Sequence, residues 1–192
     1  ARHEVDRMAE RYDYALDYLD KAALGEIVES PAYHGGVVDP GGSHLHPLNY
    51  ALGLAQAAEN AGATIYESSE VTGLTEGAEI TLETANGAVT APQVLLACNG
   101  YLGNLNANVA GRVMPINNFI VATEPLEEHL ARRVIANGMA IADSKFVVNY
   151  YRLSRDHRLL FGGRESYGYR FPSDIKGFVR KAMLAIYPYL AD

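Results

Sequence analysis

The sequence has a single cysteine, Cys98, among its 192 residues, so it can form no internal disulfide. The absence of a disulfide framework favours a cytoplasmic protein. The apolar runs are well short of the roughly 18 residues that a membrane-spanning helix requires. The net charge is -7 and there is no basic stripe, which argues against binding to nucleic acid or to anionic membranes. We therefore expect a soluble protein that handles small molecules.

The sequence also lacks the short motifs of several enzyme classes. It has neither a G-x-G-x-x-G loop nor a G-x-x-x-x-G-K-[ST] loop, so no backbone cradle for a pyrophosphate can be named. It has no G-x-S-x-G nucleophile motif, and Cys98 at the end of an apolar run is expected to be a small buried thiol. Turns and close backbone packing are the expected roles of three glycine pairs: Gly35–Gly36, Gly41–Gly42 and Gly162–Gly163.

The hydrophobic pattern predicts an α+β fold. Helical spacing predicts helices at residues 5–19, 48–58, 126–135 and 175–186. Strands are predicted at residues 32–39, 64–67, 71–74, 79–84, 88–90, 94–98, 114–123, 145–152 and 158–162. Gly62 is expected to cap the second helix in a left-handed conformation, and Ser173 is expected to cap the start of the last helix.

Two strand segments carry more specific expectations. Asn86-Gly87 predicts a hairpin turn, because both residues tolerate a positive φ. The continuous apolar run 94–98 predicts a strand that is covered on both faces, as in a parallel sheet.

Two histidines, His44 and His46, lie in the segment Ser-His-Leu-His-Pro. On an extended backbone they would face the same way, as a shared metal requires. No third ligand stands at a diagnostic spacing, so we predict no metal site. A position beside a substrate pocket and a polar loop without a special role both remain open.

A cluster of aromatic and basic residues gives the strongest candidate for a ligand site. Tyr150, Tyr151 and Arg152 precede a predicted turn at residues 154–157 and the strand 158–162. Tyrosine rings offer an apolar wall with a polar tip, and a guanidinium can clamp a carboxylate. Alternation places Tyr150 and Arg152 on one face and Tyr151 on the other. A half-exposed sheet face without a ligand is the alternative interpretation.

The order of several segments resembles that of the flavin-dependent amine and amino-acid oxidases of the D-amino-acid oxidase superfamily. The matching segments are residues 34–40, 44–55, 62–65, 70–74, 94–101, 114–116, 122–126 and 158–163. Segments 44–50 and 150–153 are most similar to the branch that oxidises gamma-glutamylputrescine. Each motif alone is loose, and their order makes the resemblance specific.

The resemblance implies a central fragment of such an oxidase. It implies an antiparallel substrate-domain sheet with helices, and part of an FAD-binding α/β domain lacking its N-terminal βαβ unit. Residues 48–110 would contribute to the FAD-binding domain, and residues 30–47 and 111–170 to the substrate domain. The implied FAD contacts are Val71, Ala97, Asn99 and Gly100. The implied substrate-side residues are Tyr150, Tyr151, Arg152, His44 and His46.

The resemblance also implies a reaction. Such enzymes remove a hydride equivalent from the carbon next to a nitrogen and transfer it to the flavin. The expected substrate of the parent protein is a small amine, with a sarcosine- or glycine-type oxidase or a D-amino-acid dehydrogenase as the alternative. FAD is expected in the full-length parent, whereas this chain alone is expected to be inactive and able to self-associate. A non-catalytic binding or structural domain is the alternative from a different class.

Overall fold

The computed structural model describes residues 2–167 and 170–191. Its α-helices are α1 (Arg2–Tyr12), α2 (Lys21–Gly25), α3 (Pro47–Asn60), α4 (Ala107–Ala110), α5 (Glu128–Val134) and α6 (Ile175–Ile186). Its strands are β1 (Asp17–Asp20), β2 (Gly35–Val38), β3 (Val71–Thr75), β4 (Ile80–Thr84), β5 (Gly87–Ala91), β6 (Asn117–Ala122), β7 (Ile141–Ala142), β8 (Tyr150–Leu153) and β9 (Leu159–Ser166). Helices combined with antiparallel strands confirm the predicted α+β class.

The chain divides into two compact units. The first unit comprises residues 1–44 and 117–192, and the second unit comprises residues 45–116. The assignment of these units to a substrate domain and a flavin domain stays a prediction.

The first unit contains a four-stranded antiparallel sheet with the order β6-β9-β8-β7. Helix α6 packs against β6 and β9, and its buried stripe closes the core. The buried core residues are Val28, Phe119, Val134, Ile135, Tyr151, Leu159, Phe161, Val179, Ala182, Met183, Ile186 and Tyr187. One face of the sheet therefore belongs to the core, and burial of these apolar side chains is its main source of stability.

The core contains two buried tyrosines, Tyr151 and Tyr187, with Tyr33 and Tyr189 packed against it. Tyr151 stacks on Phe161 with ring centroids 5.2 Å apart and meets the edge of Tyr187 at 5.6 Å. The Tyr151 hydroxyl donates to the Tyr33 hydroxyl at 2.8 Å, and the Tyr187 hydroxyl donates to the carbonyl of Val134 at 2.9 Å. Each buried hydroxyl thus has a partner, as a polar group inside a core requires.

The second unit consists of α3, the three-stranded sheet β3-β4-β5 and the segments that follow it. Among its described residues Leu102 is the only buried hydrophobic residue. Helix α3 has the predicted location but no buried residue, and Leu48 and Leu52 on its apolar face are 61% and 59% exposed. The apolar face of α3 thus remains open to solvent in the part of the chain that the structure describes.

The start of α6 and the end of α3 test the two predicted caps. Gly62 has a φ of +95°, which confirms the left-handed cap, and Ala63 donates back to the carbonyl of Ala58 at 3.0 Å. The prediction of Ser173 as the N-cap is wrong by one residue. Asp174 is the cap, and its carboxylate accepts from the backbone N–H of Gly177 at 2.8 Å.

The hairpin between β4 and β5 is confirmed, but its predicted turn residues are wrong. Thr84 pairs with Gly87, so Ala85 and Asn86 form the loop. Neither Asn86 nor Gly87 has a positive φ. The Thr84 hydroxyl instead stabilises the turn, because it donates to the carbonyl of Gly87 at 2.9 Å and accepts from the N–H of Asn86 at 3.3 Å.

Two predicted strands, residues 64–67 and 94–98, are wrong: these segments are irregular in the structure. Leu95 is 88% exposed, although the apolar run had predicted a strand covered on both faces. The reason is that a strand exists only through pairing, and no described strand pairs with either segment. No helix within residues 2–167 and 170–191 is long and apolar enough to cross a membrane.

The tyrosine-rich core predicts a specific alkaline instability. Burial raises the pKa of Tyr33 and of Tyr189 to about 12, and it raises the pKa of Tyr151 and of Tyr187 further. The unfolded chain therefore loses these protons first, near the ordinary value of 10. Stability is full below pH 10 and falls as the pH rises from 10 towards 12.

Absorbance of tyrosinate and circular dichroism, measured together during alkaline titration, test this expectation. The buried subset of the 13 tyrosines should ionise only as the chain unfolds, while in denaturant all should ionise near pH 10. Ionisation of every tyrosine in a chain that retains its native dichroism contradicts it.

Candidate functional site

The sheet of the first unit has a second face, opposite the core. Tyr150 pairs with Gly162 and Arg152 pairs with Leu160, while Ile120 pairs with Gly162 from the other side. Paired residues share a face of a sheet. We call the surface formed by Ile120, Tyr150, Arg152 and Leu160 the open face. Ile120 is 60% exposed there, so the open face presents apolar surface to solvent.

Tyr150 lies flat on β9, because Gly162 carries no side chain. A Cβ atom at Gly162 would overlap the Tyr150 ring. The Tyr150 hydroxyl donates to the side-chain oxygen of Asn118 on β6. Partial burial raises the pKa of Tyr150, so the hydroxyl is neutral near neutral pH. The ring position and the direction of the hydroxyl proton are both fixed by neighbours on β9 and β6.

The start of β8 is held by a buried carboxylate–amide pair. The side chain of Asp143 is only 4% exposed, and the whole residue Asn149 is also 4% exposed. The Asp143 carboxylate accepts from the Asn149 backbone N–H at 3.0 Å and from its side-chain Nδ2 at 2.6 Å. The Asn149 Oδ1 atom lies 2.7 Å from where a Cβ of Gly163 would be. The two consecutive glycines thus make room for Asn149 on one face and Tyr150 on the other.

Arg152 lies two residues beyond Tyr150 on the open face and is partly exposed. Its side chain has no hydrogen bond or ion pair with any residue that the structure describes. By contrast, Arg158 nearby in sequence contacts Asp156 at 2.9 Å and Glu124 at 3.6 Å. Arg152 therefore has its guanidinium donors available for an external anion.

Tyr151 belongs to the core face. It is 3% exposed, and its hydroxyl is engaged by Tyr33. The alternation that separates Tyr151 from Tyr150 and Arg152 is therefore as the sequence predicts. Its burial favours a packing role, and a substrate contact by Tyr151 stays a prediction.

The two histidines have local structural contacts. The His44 Nε2 atom lies 3.1 Å from the carbonyl of Gly138. The Nδ1 atom of His46 accepts from the backbone N–H of Asn49 at 3.2 Å and caps the start of α3. Substrate contacts by His44 and His46 stay predictions. Within residues 2–167 and 170–191 no group of three or more potential ligands is arranged to hold a metal ion.

The predicted FAD contacts all lie in the second unit. Val71 begins β3, an edge strand of its described sheet, so backbone groups along the outer side are available to a ligand. Ala97, Asn99 and Gly100 are exposed, and Asn99 has a φ of +50° at a sharp turn. FAD contacts by Val71, Ala97, Asn99 and Gly100 stay a prediction. The pyrophosphate would need a donor loop that the sequence of this chain lacks.

Two supporting residues were not predicted from the sequence: Asn118, which holds the Tyr150 hydroxyl, and Asp143, which holds Asn149. Asn118 is 32 residues from Tyr150 in sequence, and only the β6–β9–β8 pairing brings the two together. Asp143 and Asn149 are closer together in sequence. The sequence signal for their contact was that both polar residues precede the aromatic strand β8. The glycine pair Gly162–Gly163 is confirmed in its expected role of close backbone packing.

The contact between Tyr150 and Gly162 predicts a sharp steric effect. Gly162→Ala should displace the Tyr150 ring and lower the free energy of unfolding by about 1–3 kcal/mol, because overpacking forces shifts in a tight contact. Urea unfolding measures the stability, and 19F NMR of 3-fluorotyrosine-labelled protein, assigned with Tyr150→Phe, measures the ring environment.

Gly25→Ala is the matched control, since a Cβ at Gly25 meets nothing within 4 Å. It should change the stability by less than about 0.5 kcal/mol. Equal effects of the two substitutions would show that Tyr150 is not packed on Gly162.

Comparisons with known proteins add to this geometry. The chain is 42% identical over 193 residues to a probable oxidoreductase OrdL of Rhizobium meliloti, which covers 100% of this chain and 45% of that relative. It is 39% identical over 182 residues to a probable oxidoreductase OrdL of Haemophilus influenzae, covering 92% and 41%. It is 39% identical over 183 residues to gamma-glutamylputrescine oxidoreductase of Escherichia coli, covering 94% and 43%.

The chain thus spans less than half the length of these curated relatives. The family model of FAD-dependent oxidoreductases, named DAO, matches residues 1–192. This match confirms the predicted resemblance along the whole chain and the FAD dependence of the family. The chain belongs to the DAO family of FAD-dependent oxidoreductases.

Proposed function

We propose that the full-length protein is an FAD-dependent oxidase of amines or amino acids, with a gamma-glutamyl amine such as gamma-glutamylputrescine as its substrate. One observation carries the substrate class: Arg152, which has no partner among the residues that the structure describes, lies on the same partly apolar open face as Tyr150. A relative that is 39% identical and named gamma-glutamylputrescine oxidoreductase supports it. A gamma-glutamyl amine carries both the carboxylate and the amine that such a face would take.

Arg152 has the role of carboxylate clamp in this proposal. A guanidinium presents two parallel N–H donors that match a carboxylate, and such charge-assisted pairs are stronger than neutral hydrogen bonds. The half-buried position of Arg152 reduces competition from water. The clamp would hold one end of the substrate and fix the distance to its amine.

The apolar part of the open face has a second role. Oxidation next to nitrogen requires the neutral amine, because its lone pair assists removal of the hydrogen. An environment of Ile120, Leu160 and the Tyr150 ring disfavours a charged ammonium by desolvation. When bound, FAD would accept the two electrons and the hydrogen taken from the carbon. This chain's residues would bind and orient the amine.

The second unit would supply part of the FAD-binding domain, with Val71, Ala97, Asn99 and Gly100 on its cofactor side. Its exposed apolar residues support incorporation into a larger domain, since large open apolar patches mark interaction surfaces. The isolated chain would be inactive for want of a pyrophosphate loop, and its open apolar surfaces would promote self-association. This assignment of the FAD-binding and substrate-binding roles to the two units rests on the family resemblance.

The full-length protein tests the proposal directly. It should be yellow, with flavin absorbance, and should oxidise gamma-glutamyl amines in preference to sarcosine, glycine and D-amino acids. Steady-state rates with the four substrate classes measure the preference. A preference for sarcosine, glycine or D-amino acids would favour the alternative oxidase or dehydrogenase. A protein without bound flavin would favour a non-catalytic role.

Arg152 gives the residue-level prediction. Arg152→Ala in the full-length protein should raise KM for carboxylate-bearing amines about 10- to 100-fold, which is the worth of a hydrogen bond to a charged group. Amines without a carboxylate should be affected little. Arg155→Ala, in the exposed β8–β9 turn, is the control and should leave both KM values unchanged. An unchanged KM for carboxylate-bearing amines in Arg152→Ala would exclude the clamp.

A further inference from the structure

Helix α6 carries two cations on one exposed stripe. Lys176 and Arg180 are four residues apart, so their side chains are neighbours one turn apart on the helix surface. Within residues 2–167 and 170–191, neither of the two side chains is paired with a carboxylate. Like charges at this spacing repel each other, so an anion that contacts both cations would relieve the repulsion.

The guanidinium of Arg180 is held in place by the backbone. Its Nη2 atom donates to the carbonyl of Ala191 at 2.6 Å. A guanidinium has five N–H donors, so this bond leaves most of them available. Because the side chain is already anchored, less conformational entropy is lost when an anion binds to it.

Both cations line a cavity of about 360 Å³ between α6, the end of β6 and the segment 123–130. This volume lies in the range of small-molecule pockets, roughly 300–1,000 Å³. Met183 is only 6% exposed and belongs to the buried core beneath the cavity. The other walls are largely apolar and include Val121, Leu126, Leu130 and Leu190. The cavity thus combines an apolar interior with two cations on one wall.

One acidic side chain lines the cavity among the residues that the structure describes, that of Glu124. It is 94% exposed, and its Oε2 atom lies 3.6 Å from the Nη1 atom of Arg158. Arg158 therefore offsets the charge of Glu124, and the wall formed by α6 retains an excess of positive charge. This excess is local, since the whole chain has a net charge of -7.

We propose that this cavity binds a small amphipathic anion, a carboxylate with an apolar chain of medium length. Its carboxylate pairs with Lys176 and Arg180, and its chain contacts Met183 and the apolar walls. A protein partner is a poorer fit, because a stable protein interface covers about 800 Å² on each side, whereas this cavity holds one small molecule. An inorganic anion would leave the apolar walls unused.

The inference goes beyond the proposed function and does not depend on it. Helix α6 packs against β6 and β9 on the core face of the sheet, opposite the open face. A ligand in the cavity would therefore not compete with an amine on the open face.

Methyl NMR of the full-length protein labelled with 13C-methyl methionine tests the inference beside the cavity. The Met183 signal is assigned with Met183→Leu. The probes are octanoate, octan-1-ol, which has the same chain without the charge, and acetate, which has the charge without the long chain. Octanoate should shift the Met183 signal and give the lowest dissociation constant of the three, because it alone satisfies both the cations and the apolar walls.

Charge variants on α6 test the role of the two cations. Lys176→Gln and Arg180→Gln should each raise the dissociation constant of octanoate about 1.5- to fivefold, the worth of an exposed ion pair. The double variant should raise it further. Arg180→Lys keeps the charge and should bind octanoate more tightly than Arg180→Gln does. The dissociation constant of octan-1-ol should not change in any of these variants.

Lys181→Gln is the matched control, since Lys181 is an exposed cation on the same helix but does not line the cavity. It should leave octanoate binding unchanged, as should Arg152→Ala on the open face. The inference is overturned by a Met183 signal that octanoate does not shift, by octan-1-ol that binds as tightly as octanoate, or by octanoate binding that the double variant does not weaken. A loss of octanoate binding in Arg152→Ala would place the carboxylate on the open face and overturn it as well.

Discussion

The antiparallel register of β8 on β9 is the constraint on which the rest of the first unit depends. The register places Tyr151 over Phe161 on one face and Tyr150 over Gly162 on the other. The stacked pair joins the aromatic core, whereas the missing side chain of Gly162 leaves the space in which Tyr150 lies flat. A shift by one residue would exchange the two faces, bury Arg152 and expose Tyr151. Core packing and the candidate site are therefore two consequences of one pairing.

Polar contacts at the site are secured by buried or constrained groups. The Asp143 carboxylate is compensated by N–H donors from Asn149 and Lys145, as a buried charge requires. Exposed ion pairs such as Glu128–Arg132 contribute little by comparison. The geometry of the open face is thus set by hydrogen bonds and close backbone contacts rather than by surface ion pairs.

The two units differ in how much of their apolar surface the described residues bury. In the first unit the sheet and α6 enclose a continuous core. In the second unit the apolar side of α3 and the segment 94–98 are open. The curated relatives are more than twice as long as this chain. The apolar run at 94–98 is irregular, and no described strand pairs with it.

The sequence by itself determined the α+β class, the helix at α3 with its glycine cap, the β4–β5 hairpin and the alternation of Tyr150, Tyr151 and Arg152. These features depend on local periodicity and on the conformational preferences of single residues. The order of loose motifs also determined the family. The sequence did not determine that Ala85 and Asn86 form the hairpin turn. Hydrogen bonds of the Thr84 hydroxyl stabilise this turn, and no residue with a positive φ is needed.

Only the tertiary structure decided which face of β8 is buried, because both faces carry tyrosine and alternation alone is symmetric. It also decided that Asn118 receives the Tyr150 proton, since that contact joins residues 32 positions apart through two strand pairings. Long-range hydrogen bonds have no signature in local sequence. The candidate site is therefore a property of strand register, in which residues of ordinary appearance acquire fixed partners.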